Sequence, residues 1–305
     1  MNSAIKRVGV VRGGTGRNYR YSLERGGDII SHLVEHLGHK YKPVDILIDK
    51  NHIWHVNGVP VNPSDLVSKI DVAWNTTHPS FSHILKSLAI PHVSTPSFPE
   101  ALQNSKELLR EHAKNLGIPM PRSVVLSAYQ EDFDGPREKY AMKKAKEIFE
   151  KFSSPWIVKS FTQDSNMAIH LAKTFPELVH SIEDGINHEK SILVEEFIAG
   201  KPASVHSVPN FRGEDVYTFP LGKLSSGFTH TELETLQKAA RILHQHLGAK
   251  HYLKSELLLS NRGKVYLMGI ESSPDLKKGS HFHEVCDLAG TKVHHMIEHM
   301  LEKVL

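Results

Sequence analysis

The chain has 305 residues, 39% hydrophobic and 23% charged, which suits a globular protein of two or three packed units. Lys plus Arg number 37 against 34 Asp plus Glu, and a formal charge of +3 argues against a nucleic-acid glove or a membrane-surface binder. The single cysteine, Cys286, excludes an internal disulfide framework and fits a reducing cytosol, so a cytoplasmic protein is expected. No apolar run approaches the ~20 residues that span a bilayer, and the first residues are too short an apolar stretch for a signal peptide.

Residues 7–11 read as a first buried strand that opens into Arg12-Gly13-Gly14-Thr15-Gly16-Arg17. Apolar spacing over residues 23–37 (Ile29, Ile30, Leu33, Leu37) predicts a helix stopped at Gly38. Residues 44–48 and 70–74 read as strands, and residues 84–88 continue a helix that ends before Ile90-Pro91. Strand, helix, strand at this pitch predicts a parallel sheet with crossover helices, so residues 1–96 are expected to form an N-terminal α/β domain. Gly13-Gly14-x-Gly16 is not the G-x-G-x-x-G of a dinucleotide fold, and no acidic residue ends a second strand, which weakens a dehydrogenase reading.

A central lobe is expected over residues 97–190. Ser105 caps a helix carrying Leu108, Leu109, His112 and Leu116, with Gly117 as its stop. Residues 123–126 and 156–159 read as strands, and residues 138–152 between them as a highly charged helix. A helix over residues 176–184 opens on Pro176 and stops at Gly185. The C-terminal lobe, residues 191–305, begins with a strand over residues 191–198 broken at Ala199-Gly200-Lys201-Pro202. Strands at 205–208 and 216–220 follow, then a long helix with Thr231-x-x-Glu234 as its capping box and Gly248 as its end. A last helix runs from about residue 285 to the end.

The most informative stretch lies between those two helices. Residues 251–259, the turn Ser260-Asn261-Arg262-Gly263 and residues 264–274 read as an antiparallel hairpin. Strand period 2 puts Lys254 and Glu256 on one face of its first strand, and Gly269 and Glu271 on one face of its second. Two carboxylates and a lysine converging on a buried sheet face suggest a divalent cation beside a phosphate; edge-strand charges in water are the alternative. The 22 histidines match no zinc spacing, and the pairs His244/His246 and His281/His283 read as polar surface residues of helices.

This order of elements resembles the ATP-grasp superfamily, and within it the D-alanine–D-alanine ligases, over nearly the whole chain. Gly13-Gly14 with Ser22-Leu23, Ser105-Lys106 with Gly117-Ile118-Pro119-Met120-Pro121, Ile157-Val158-Lys159, and Val194-Glu195-Glu196-Phe197-Ile198-x-Gly200 carry the resemblance. So do the Glu256 hairpin, Pro274, and Asp287-Leu288-Ala289-Gly290-Thr291. The resemblance implies an ATP-grasp fold, α/β followed by two α+β lobes with ATP between them. It implies an ATP-dependent ligase that joins a carboxylate to an amine through an acyl phosphate, with small amino-acid or peptide-like substrates and a homodimeric state. Lys106 and Lys159 would approach the phosphates, Glu195, Glu196, Phe197 and Ile198 would meet the adenine edge, and Glu256 and Glu271 would hold Mg²⁺. Lys254, where the family has an arginine, would steady developing negative charge, and Ser165 would donate to a substrate oxygen.

Several positions depart from the family pattern. Its glycine-rich loop aligns on Asp164-Ser165-Asn166-Met167-Ala168-Ile169, which has no glycine. Its central metal glutamate aligns with Gly269, its ammonium-binding glutamate with Asn18, and its long flap with the short stretch Gly222-Lys223-Leu224-Ser225-Ser226-Gly227. A catalytically degenerate nucleotide-binding protein with the same fold is therefore the alternative function.

Overall fold

The computed structural model describes residues 4–16, 18–161, 167–188 and 191–305, apart from the side chains of residues 224 and 225. The expected loop residues Asp164, Ser165 and Asn166 lie outside the described residues. The chain divides into two compact units: residues 1–118, 202–257 and 269–305, and residues 119–201 and 258–268. Residues 1–96 fall wholly within the first unit, while residues 97–190 and 191–305 each contribute to both.

The first unit begins with β1 (Lys6–Gly13), whose Val8, Val10 and Val11 are all buried, as a strand covered on both faces requires. Helix α1 (Tyr19–His36) buries Ser22, Gly26, Ile29 and Leu33, a stripe at helical spacing. Then come β2 (Tyr41–Ile48), β3 (Trp54–Val56), β4 (Val59–Val61), α2 (Leu66–Lys69), β5 (Val72–Asn75), α3 (Ser80–Ser87), β6 (His92–Val93), α4 (Ser97–Asn104) and α5 (Lys106–Asn115). The sheet order is β4-β3-β2-β1-β5-β6; β1, β2, β5 and β6 are parallel, and β3 and β4 run antiparallel at one edge. The β3–β4 hairpin was not among the expected elements. Its turn is Asn57-Gly58, with φ of 50° and 84°, the pairing that a two-residue primed turn favours.

The second unit contains β7 (Ser123–Leu126), α6 (Glu131–Asp134), α7 (Arg137–Lys151), β8 (Trp156–Ser160), β9 (His170–Ala172), α8 (Phe175–Asn187) and β10 (Ile192–Glu196). Its sheet, ordered β7-β10-β8-β9, is antiparallel throughout. Trp156, Val158, Ile192 and Val194 turn one sheet face onto Ala145 and Ile148 of α7 and Leu178 and Ile182 of α8. Gly185 does not stop α8; it lies inside the helix, where a Cβ would come within 2.4 Å of Ile192. The glycine serves close helix-to-sheet packing rather than termination.

The remaining elements are β11 (Gly200–Phe211), β12 (Glu214–Thr218), α9 (His230–His246), β13 (Leu253–Ser260), β14 (Val265–Glu271), α10 (His281–Leu288) and α11 (Val293–Glu302). Their sheet is ordered β12-β11-β13-β14, with β14 at its edge. The cap of α9 is Thr229 with Glu232, two residues before the expected box: Glu232 N donates to Thr229 Oγ1 and Thr229 N to Glu232 Oε2. The expected last helix is two helices, because Gly290, with φ of 65°, ends the first turn-off before α11 starts. Both helices pack into one core with β1 and α1, through Phe282, Val285, Met296 and Ile297 against Val8, Val10, Ile29 and Leu33. No helix among the described residues is long and apolar enough to cross a membrane.

Candidate functional site

Burial alternates along β13: Leu253, Ser255, Leu257 and Leu259 turn inward, leaving Lys254 and Glu256 on the other face. Lys254 Nζ lies 3.1 Å from Glu256 Oε1 and 3.0 Å from Glu271 Oε1, so the three charged side chains meet as the strand period predicts. Gly269 joins them, since a Cβ there would lie 3.3 Å from Glu256 Oε2. The expected burial of this face is corrected. The side chains of Glu256 and Glu271 are 45% and 42% exposed, and that of Lys254 is 18% exposed, because the second strand is the sheet edge. Burial pulls the Lys254 pKa down, but the two carboxylates outweigh it and the net shift is upward, so the ammonium form is held firmly.

Around this cluster the first unit supplies fixed supports. Ser272, next after Glu271, donates through N and Oγ to Gln103 Oε1 of α4 at 3.0 and 2.9 Å, and Ser273 Oγ meets Thr95 Oγ1 at 2.7 Å. Lys106 opens α5 behind Ser105, whose Oγ accepts from Leu108 N as the sequence predicts. In the same unit, Gly13 has φ of 88°, and a Cβ there would come within 2.3 Å of Ile48 O. Gly13 N donates to Ser22 Oγ, which in turn meets Thr76 Oγ1 at 3.0 Å. The Gly-Gly…Ser phrase therefore closes the β1 exit loop onto α1. Asn18 stands at the α1 cap position without a side-chain capping bond.

In the second unit Lys159 of β8 and Glu195 of β10 share the sheet face opposite the core. Register puts Lys159 opposite Leu193 and Glu195 opposite Ile157, so the two are diagonal neighbours, 2.7 Å apart. Glu195 is only 5% exposed, which makes its ion pair a condition of its burial. Glu196 points elsewhere: Arg122 holds its carboxylate as a fork, with Nε and Nη2 at 3.0 and 2.9 Å. That arginine, first among its causes, lowers the Glu196 pKa. Glu196 N donates to Arg122 O and Phe197 N to Pro155 O, so these two backbone donors are already engaged in the strand end. Gly200 is required where it stands, because a Cβ would fall 2.2 Å from Leu259 O.

No protein-family model matches the chain. It is 22% identical over 98% of both chains to a D-alanine–D-alanine ligase of Christiangramia forsetii. It is 24% identical over 96% of its length to a D-alanine–D-alanine ligase of Halalkalibacterium halodurans. Among solved structures, the VanG D-Ala:D-Ser ligase of Enterococcus faecalis superposes with a TM-score of 0.73 over 99% of this chain at 18% identity. The D-alanine–D-alanine ligase of Bacillus anthracis complexed with ATP superposes with a TM-score of 0.65 over 98% of it. The fold is that of the D-alanine–D-alanine ligases.

Within this ligase fold, sequence reasoning missed the structural hydrogen-bond partners. Arg122 is one; a lone arginine after Pro121 gives no signal that it will clamp a glutamate on a distant strand. The histidines are another, and their expected surface role is corrected. His244 is 2% exposed and bonds Ser207 Oγ at 2.8 Å. His206, also 2% exposed, bridges Tyr252 Oη at 2.6 Å and His281 Nδ1 at 2.7 Å. Burial holds the His206 pKa well below the usual imidazole value and that of His244 at about 4, so both are neutral bases in a packed interior. Among the described residues no group of three or more His, Cys, Asp or Glu is placed to hold a metal ion.

Proposed function

We propose that this protein is an ATP-dependent ligase that joins a carboxylate to an amine, as a divergent relative of the D-alanine–D-alanine ligases. The observation that carries the reading is the meeting of Lys254, Glu256 and Glu271 on one hairpin face, in a chain with that fold over nearly its whole length. The γ-phosphoryl group of ATP passes to a substrate carboxylate and ADP leaves. An amine then attacks the acyl phosphate, expels phosphate, loses a proton and forms the C–N bond. Substrates of this kind are small amino-acid or peptide-like molecules, met in the cytoplasm by a homodimer.

Each residue has a physical task in that reaction. Lys159, whose partner Glu195 fixes its position, offers positive charge to the nucleotide phosphates, as Lys106 does in the first unit. The strand end from Glu195 to Ile198 borders the adenine, with the Arg122–Glu196 fork keeping it rigid. Lys254 steadies the negative charge that gathers on the reacting oxygens, where a preorganised cation is worth most. Glu256 and Glu271 fit Mg²⁺, a hard cation that takes one or two protein carboxylates and completes its shell with phosphate and water. When bound there, Mg²⁺ supplies charge neutralisation of the phosphates. Glu256 Oε2 lies 3.3 Å from where a Cβ at position 269 would stand, and its side chain is 45% exposed, which leaves the carboxylate accessible.

Release of ADP and phosphate, measured against a panel of D- and L-amino acids with Mg²⁺, tests the proposal. Absence of product with every pair would remove it. The second reading, a catalytically silent nucleotide-binding protein, draws on the Lys254 ammonium lying between both carboxylates and on the missing side chain at Gly269. A melting temperature raised by ATP without any product would establish that reading instead.

A further inference from the structure

Two consecutive helices of the second unit carry an apolar knob and an apolar trough, each accompanied by charge, and the two charges have opposite sign. The knob is Phe133 of α6, whose ring is left in water at 86% exposure. Its turn is firmly held: Gln130 O accepts from Phe133 N and Asp134 N, Gln130 N donates to Asp134 Oδ2 at 2.8 Å, and Tyr129 Oη donates to Gly135 O. Glu131 and Asp132 precede Phe133 in the same turn; both are exposed, and neither forms an ion pair with a described residue.

The trough is a shallow, open hollow along α7. Met142 and the stems of Lys139, Lys143 and Lys146 give it apolar walls, with Glu138 at its N-terminal end. Phe149, two turns beyond Met142 and 54% exposed, continues the apolar line on the face that Tyr140, Ala141, Ala145 and Ile148 turn away from. Lys139 and Lys143 stand one turn apart, as do Lys143 and Lys146, so like charges crowd this face and weaken the helix. Lys144 on its flank is paired with Glu147 at 3.0 Å, but none of the three trough lysines forms an ion pair with a described residue. Exposed apolar surface rimmed by charge marks an interaction site. Its occupant must bring an apolar side chain and negative charge together, and α6 presents that combination on a turn already ordered for it.

We infer that the α6–α7 surface is a self-complementary contact between two copies of this chain. Phe133 of each copy seats on Met142 of the other, and Glu131 and Asp132 meet Lys139, Lys143 and Lys146 across the contact. A twofold axis forms both halves at once and closes the assembly at two copies. Two short elements per copy make a small interface, so the association is weak and reversible. The inference stands apart from the ligase reading, in which none of these residues has a task.

Sedimentation equilibrium of the full chain, from about 1 to about 300 μM, reads the contact. The expected result is an average mass that doubles across the range, with association weakening as salt rises from about 50 to about 500 mM. Phe133→Ser should weaken association at least about tenfold, as loss of an aromatic anchor does. Charge exchange then tests the pairing itself. One variant carries Lys143→Glu with Lys146→Glu, and a second carries Glu131→Lys with Asp132→Lys. Each alone should stay at the lower mass, because its own two patches repel. An equimolar mixture should recover the wild-type association, because acid faces base again in both halves of the contact. All four positions are exposed, and far-UV spectra check that each variant is folded; should one fail to fold, Phe133→Ser and the salt series carry the test. A constant wild-type mass overturns the inference, and a separate acidic, phenylalanine-bearing peptide that then binds would assign the trough to another protein. Association retained by either charge variant alone, or a mixture no heavier than its parts, overturns it equally.

Discussion

Lys254 Nζ stands 3.0 Å from Glu271 Oε1, joining two neighbouring strands, and shares its ammonium with Glu256 at 3.1 Å. Both carboxylates are nearly half exposed, so these pairs add at most about 1 kcal/mol each to folding. On the proposed function their value lies in chemistry rather than stability. Glu256→Gln should therefore abolish turnover while the far-UV spectrum and melting temperature stay within a degree or two of wild type. Retained activity in that variant would remove the metal role from Glu256.

Lys159 and Glu195 behave differently because Glu195 is buried. Lys159→Met removes the ammonium 2.7 Å from that carboxylate, and roughly 2–3 kcal/mol of stability should go with it, somewhat below the cost of breaking a fully buried pair. The same change should weaken ATP binding at least tenfold. Urea unfolding and nucleotide calorimetry on one preparation separate the two effects. A variant that binds ATP normally would show that Lys159 is only the counter-ion of Glu195.

Gly200 has no room for a methyl group, since a Cβ would lie 2.2 Å from a backbone oxygen that cannot move without breaking the sheet. Gly200→Ala should cost about 2 kcal/mol or more, in the upper range for overpacking. Denaturant midpoints will measure it, and a loss under about 0.5 kcal/mol would show that the strand shifts freely.

Acid should destabilise the first unit before its carboxylates titrate. His206, His244 and His251 are buried as neutral bases, the last two with pKa values of about 4 and His206 held well below its usual value. Burial is the main cause for each. Below the unfolded imidazole value near 6.5 the unfolded chain takes up protons that the folded chain refuses, so stability falls with pH through the window from about 6.5 to about 4. For His244 and His251 the fall is at most roughly 3 kcal/mol each, and it levels off once the folded form protonates too. His244→Gln should flatten part of this slope in urea titrations at pH 7.5, 6 and 5, and an unchanged slope would exclude His244 as a contributor.

Much of this architecture is legible in the residues because period and burial agree. The first strand of the hairpin alternates strictly, whereas the second is buried at Leu267 and Ile270, yet counting by two still puts Lys254 with Glu256 and Gly269 with Glu271. The expected charged helix over residues 138–152 matches α7 (Arg137–Lys151), and the expected strand over residues 123–126 matches β7 in its bounds. Failures occur where one residue type has two physical uses. Gly185 reads as a stop but serves close packing on Ile192. Thr229 and Thr231 both begin a Thr-x-x-Glu phrase, and apolar spacing in α9 is the same for either start, so the pattern cannot choose between them. The β3–β4 hairpin carried its own signal in Asn57-Gly58, hidden by the polar residues around Trp54. Arg122 and the buried histidines were illegible for a deeper reason: their partners are distant in sequence, and only the folded chain brings them together.

The bare position at Gly269 sets the electrical character of the hairpin. Two carboxylates against one ammonium leave a single net negative charge, too little to hold a naked divalent ion strongly. A cation that arrives already carrying its own polyanion meets no such deficit, because Lys254 then has oxygens of its own to attract. The side chain that is missing would thereby shift the order of assembly, making metal and nucleotide enter as one body rather than in succession.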